Sequence, residues 1–91
     1  MLATYAADAA REVAGVHDLV GNALHRHDGV KVGRDGDRLG VELHLSLDWG
    51  ASAATVGAEV QARVADTLAR MADVRPASVD VIIDEFAAPA P

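Results

Sequence analysis

The chain has 91 residues, with eight basic and fourteen acidic side chains, a net charge of −6 and a sequence pI near 4.9. A chain of that size makes one domain with a thin core, and the acid excess opposes nucleic acid as a partner, because such affinity depends on Lys and Arg neutralising phosphates. Cysteine is absent, which excludes disulfides, thiolate nucleophiles and zinc sites of cysteine type.

Leu2, Tyr5, Ala6, Ala9 and Val13 recur at helical spacing and predict a first helix over residues 2–14. Asp8 and Arg11 pair three apart on its polar side, and Gly15 suits a left-handed cap. Residues 16–24 read either way: Asp18-Leu19-Val20 can start a short extended piece, with Gly21-Asn22 as a turn or bulge. Val30-Lys31-Val32 alternates as a strand, and Asp35-Gly36 supplies hairpin-turn chemistry. A long strand over 39–47 returns antiparallel, with Leu39, Val41, Leu43, Leu45 and Leu47 on one side and Gly40, Glu42, His44 and Ser46 on the other. Trp49, at the strand end, reads as a core plug. Ser52 is an N-cap candidate, after which the apolar period becomes four, at Val56, Val60, Val64 and Leu68. Glu59 with Arg63 and Asp66 with Arg70 are four apart, acid first. The second helix ends near Asp73, and Pro76 cannot continue it. Val79, Val81 and Ile83 alternate with Asp80, Ile82 and Asp84 in a final strand, and Phe86 is expected to close one end of the core. Residues 87–91 are Ala and Pro only and read as a disordered tail, leaving residues 1–86 as a single domain. No signal peptide is expected at residues 1–10, and no stretch approaches the ~18 apolar residues of a membrane span.

The order α-β-β-α-β predicts an α+β fold: a two-layer α/β sandwich with two helices packed on one face of a three-stranded sheet. The opposite face then carries Glu42, His44, Ser46, Asp80, Ile82 and Asp84, an acidic, solvated surface with Ile82 its one apolar member. Such a sheet has two edges and an uncovered face, and this face is the candidate interaction surface. The plainer reading is that the charges only keep it soluble.

Catalytic and metal-binding patterns are weak. His25 and His27 are two apart and share a side of an extended segment, where His44 and His17 can join them as metal ligands; solvated histidines account for the same pattern, and no metal or other cofactor is expected. Asp35-Gly36-Asp37 and Asp28-Gly29 lack the spaced acids and closing Glu of a calcium loop. No serine sits in a Gly-x-Ser-x-Gly elbow, and Ser46 beside His44 has no oxyanion site. Asp80, Asp84 and Glu42 as paired carboxylates have no cleft to work in. Gly33-Arg34-Asp35-Gly36 has the letters of an RNA-binding Gly-x-x-Gly loop, but lies within a hairpin.

The residue order resembles the alkaline shock protein (Asp/Gls) family of bacterial envelope stress proteins. Ala6-Ala7-Asp8-Ala9-Ala10-Arg11-Glu12-Val13-Ala14-Gly15-Val16 is similar to that family's alanine-rich helix with its Glu-Val-x-Gly-Val exit. Leu43-His44-Leu45-Ser46-Leu47-Asp48-Trp49-Gly50 resembles its long strand ending in an aromatic residue and glycine. Val56, Glu59-Val60-Gln61, Arg63-Val64 and Leu68 look like its second helix, and Val79-Asp80-Val81 with Ile83 like its closing strand. The resemblance implies a non-enzymatic, cytoplasmic protein that forms homo-oligomers or docks on a related membrane-anchored protein, and so reaches the inner face of the membrane through a partner, without direct membrane insertion. It supplies no catalytic residues. The alternative from another class is a small-ligand or metal-sensing regulatory domain using His25, His27 and His44.

Overall fold

The computed structural model describes residues 1–21 and 29–89. The elements run α1 (Leu2–Arg11), β1 (Val16–Leu19), β2 (Val30–Asp35), β3 (Arg38–Leu47), α2 (Ala53–Ala72) and β4 (Ser78–Phe86). The order is therefore α-β-β-β-α-β, with four strands where three were expected. The extra strand is the segment that the sequence left open.

β3 is the spine of a mixed sheet. β1 and β2 both pair with it antiparallel, and β4 pairs with it in parallel. β1 and β2 share one edge, end to end: β2 covers β3 from Arg38 to Leu43, and β1 covers it from Leu45 to Leu47. His44 sits at the junction. Its carbonyl accepts from the Val20 N–H at 2.8 Å, and its own N–H donates to the Gly29 carbonyl at 2.9 Å. The sheet thus has three rows of strand, and one edge row is shared by β1 and β2, anchored on either side of His44 at Val20 and Gly29.

Two bulges bracket the far end of β3. The β1 register slips between Val16 and Asp18, making His17 an extra residue, and the β4 register slips so that Ile83 faces Leu45 while Glu85 faces Ser46, making Asp84 extra. Each bulge bends its strand and re-aims a side chain.

The helices cover one face. Leu43, Leu45 and Leu47 are fully enclosed, as are Val60, Val64 and Leu68 of α2. Burying a Leu or Val side chain stabilises by about 1.5–3 kcal/mol relative to exposing it. α1 contributes Ala6, Ala7, Ala9 and Ala10, small residues that allow close approach to α2 and to the strands below. α1 lies over β1 and β2, and α2 over β4. Arg63 ties the helices together by donating to Glu12 at 3.1 Å, so the expected Glu59–Arg63 pair gives way to a bridge between elements. Asp8–Arg11 and Asp66–Arg70 form as expected, at 3.4 and 2.9 Å.

The helix ends follow local chemistry. The Ser52 hydroxyl accepts from the Thr55 N–H at 3.3 Å and caps α2. Asp73 closes it in the left-handed region, φ 53°. α1 stops at Arg11, three residues short of the expected end, and the chain turns through Gly15 at φ +97°. A Cβ there would lie 2.7 Å from Val56 Cγ2, so only glycine fits this crossing beside α2. In the hairpin, Asp35 pairs with Arg38, and the two loop residues are Gly36 and Asp37, one position later than Asp35-Gly36. Gly36 carries the positive φ of a first central residue.

Two expectations about aromatic residues fail. Trp49 is 67% exposed and plugs nothing; it lies two residues past the end of β3. Phe86 faces Leu47 across β4 but stays 42% exposed, because it lies at the last rung of the sheet.

Candidate functional site

The six residues of the candidate interaction face come from β3 and β4. Glu42 pairs with Asp80, His44 with Ile82, and Ser46 with Glu85, all in parallel register and all on the side away from the helices. Asp84 joins them through the β4 bulge. Lys31 of β2 extends the Glu42–Asp80 row on the other flank.

The centre of this face is not the open, solvated surface that alternation predicts. His44 is 7% exposed and Ser46 4%. The reason lies in a side-chain bridge: His44 Nδ1 is 2.8 Å from Asp84 Oδ2, and His44 Nε2 is 2.8 Å from Glu42 Oε2. The imidazole is clamped between two carboxylates, and about a third of each carboxylate side chain, 34% for Glu42 and 32% for Asp84, stays in contact with solvent. Ser46 stands in the middle row, opposite both bulged strands. Its Oγ is enclosed and meets no hydrogen-bond partner among the described residues. Asp80, Ile82 and Asp84 form the accessible part of the face, Ile82 being 36% exposed.

This geometry separates chemistries that the sequence left side by side. A serine–histidine pair needs a ring nitrogen for the hydroxyl; both nitrogens of His44 are engaged by carboxylates, and Ser46 is left out. Metal ligation needs an accessible ring nitrogen, and both nitrogens of His44 already face carboxylates at 2.8 Å. His17 is exposed and lies 3.5 Å from Asp48. His25 and His27, like Asp28 and the proposed Gly21-Asn22 turn beyond Gly21, fall outside the described residues. Among the described residues, no group of three or more His, Asp or Glu is arranged to hold a metal ion. Gly33, Arg34 and Asp35 lie on β2 and Gly36 in the hairpin turn, so the Gly-x-x-Gly letters do not join two helices as the RNA-binding loop requires.

The bulge at Asp84 is the feature of this face that sequence reasoning missed. Its signal is present: Val79, Val81 and Ile83 are two apart, whereas Phe86 follows Ile83 by three. A slip of one residue returns Phe86 to the side of Leu47. Val16 and Leu19, also three apart, mark the β1 bulge in the same way.

With this arrangement in hand, the pattern of the alkaline shock protein family, described as having a cell envelope-related function, matches residues 1–87. The chain belongs to the alkaline shock protein family. Its alanine-rich α1, the β3 run into Trp49-Gly50, α2 and the β4 valines are the segments on which the resemblance rested, and the match spans them all. No curated protein and no solved structure shows a significant match to the chain. Among the described residues, no helix of this family member is long and apolar enough to cross a membrane.

Proposed function

We propose that this alkaline shock protein family member is a non-enzymatic envelope stress response protein of the bacterial cytoplasm, acting as a small self-associating or partner-docking interaction module. The observation that carries the reading is the sheet face away from the helices, where Ile82 stands 36% exposed beside the acid Asp80. Family membership supplies the envelope-related setting. A thin, alanine-rich core in a 91-residue chain gains stability from association by mass action. The recruiting partner at the inner face of the membrane is a related, membrane-anchored protein.

Light scattering across a concentration range tests self-association, with mass rising above that of one copy. Crosslinked capture from the native cell tests docking, comparing the wild type with Ile82→Asp. The substitution keeps the fold, because Ile82 points away from the helix-covered core, and it removes captured partners. An unchanged partner set with Ile82→Asp excludes this face. A protein that stays monomeric and captures nothing ends the reading.

A further inference from the structure

The two outer rows of the sheet carry opposite charge, and each lacks a neighbour among the described strands. β4 pairs with β3 alone and bears Asp80, Asp84 and Glu85 with no basic residue. β2 also pairs with β3 alone and bears Lys31 and Arg34, with Arg38 across the turn and Asp35 as its one acid. Among the described residues, Lys31, Arg34 and Arg38 make no ion pair, and neither do Asp80 and Glu85, whereas Arg11, Arg63, Arg70 and Arg75 are all paired. Unpaired acids thus line β4, and the unpaired bases Lys31 and Arg34 lie on the opposite edge, where Asp35 and Asp37 stand at the hairpin end.

Resting on the self-association reading above, we infer that copies of this chain join edge to edge, β4 of one copy pairing antiparallel with β2 of the next. Within one copy β2 runs antiparallel to β4, since β2 opposes β3 and β4 follows it. A second copy placed beside the first, helices on the same side, therefore presents β2 antiparallel to the first copy's β4, the arrangement of strand addition. The side-chain layers continue across the seam. Val30 and Val32 lie on the helix-covered side, as do Val79, Val81 and Ile83. Val32 and these three β4 residues are only partly buried against the core, and the seam covers them. On the other side, Lys31 falls opposite Asp80 or opposite Ile82 between Asp80 and Asp84, in either register that keeps the valines over one another.

Charge also selects against one symmetric alternative. Two β4 edges back to back set the acids Asp80, Asp84 and Glu85 against the same acids of the other copy, and facing like charges in a sheet are destabilising; two β2 edges put Lys31 opposite Lys31, Gly33 or Asp35 according to register and cover none of the half-buried β4 residues. The favoured seam joins unlike edges, so each copy keeps one edge open. With a twist of about 20–25° between adjacent strands, three rows turn each copy by roughly 60–75° relative to the last, and the row grows without closing as a dimer.

The test is a charge exchange read by light scattering, with circular dichroism recording that each variant is folded. Lys31→Glu alone and Asp80→Lys alone each raise the concentration needed for association by roughly tenfold or more. An equal mixture of the two variants associates again, because every seam then joins opposite charges. A second readout uses the absence of native cysteine: under oxidant a Val32→Cys copy crosslinks to a Val79→Cys copy in the register that sets Lys31 opposite Asp80, and to a Val81→Cys copy in the register that sets it opposite Ile82, and each variant crosslinks far less to itself. Wild-type association that both charge variants retain, with no preference for the mixed crosslink, overturns the edge seam and leaves self-association standing through another surface. A wild type that is monomeric at every concentration removes self-association itself and the seam with it.

Discussion

Asp84 reaches His44 because β4 carries one residue too many. Ile83 keeps register with Leu45 and Glu85 takes register with Ser46, so Asp84 falls between rungs, with its Oδ2 2.8 Å from His44 Nδ1. With Glu42 on Nε2, the ring couples two strands through side chains rather than through the ladder. His44→Leu removes the ring nitrogens that both carboxylates contact. The expected loss is about 1–3 kcal/mol of unfolding free energy in a urea titration. A double-mutant cycle of His44→Leu with Asp84→Ala returns a coupling of roughly 0.5–3 kcal/mol. Simple additivity would mean that the bridge is not formed in solution.

Ser46 gives the opposite sign. Its Oγ is enclosed without a partner among the described residues, and a buried hydroxyl so placed opposes folding. Ser46→Ala is expected to be neutral or to stabilise by up to about 1 kcal/mol. A clear fall in melting temperature would reveal a hydrogen bond at this hydroxyl.

Gly15 is the tightest backbone position beside the helices. Its φ of +97° and the 2.7 Å approach of a built Cβ to Val56 Cγ2 act together. Gly15→Ala must strain the turn and push α2 aside, at about 1–3 kcal/mol. Calorimetry should record a drop of roughly 4–8 °C per kcal/mol for a domain of this size. An unchanged transition would mean that α2 yields without resistance.

Trp49 should be dispensable for folding. At 67% exposure, Trp49→Ala changes stability by no more than about 0.5 kcal/mol. The wild-type emission is that of a water-exposed indole and moves little on unfolding in urea. A strong red shift on unfolding would return this residue to the core.

The covered side of the sheet was legible residue by residue. Leu43, Leu45 and Leu47, with the four-residue period of Val56, Val60, Val64 and Leu68, mark positions that all prove buried, because alternation and helical period report directly on which side meets the core. The Ser52 cap and the Asp66–Arg70 pair were equally local and equally readable. The other side was legible only in membership. Glu42, His44, Ser46, Asp80, Ile82 and Asp84 do share it, but polarity along one strand says nothing about what lies across the next. The burial of His44 depends on Asp84, forty residues away and shifted by a bulge. β1 escaped for a similar reason: four residues paired to the tail of a strand that already had a partner leave a pattern too short to count. Trp49 was misread because a large apolar side chain at a strand end is judged by its type, whereas it stands past the last paired residue of β3.

The junction at His44 has a consequence for how this protein can vary. One rung of β3 holds both the departure of the chain at Val20 and its return at Gly29, at 2.8 and 2.9 Å. The ladders on either side are held by their own pairs, Leu19 with Leu45 and Val30 with Leu43. A tag or epitope grafted between those anchors is therefore expected to leave both flanking alignments in place.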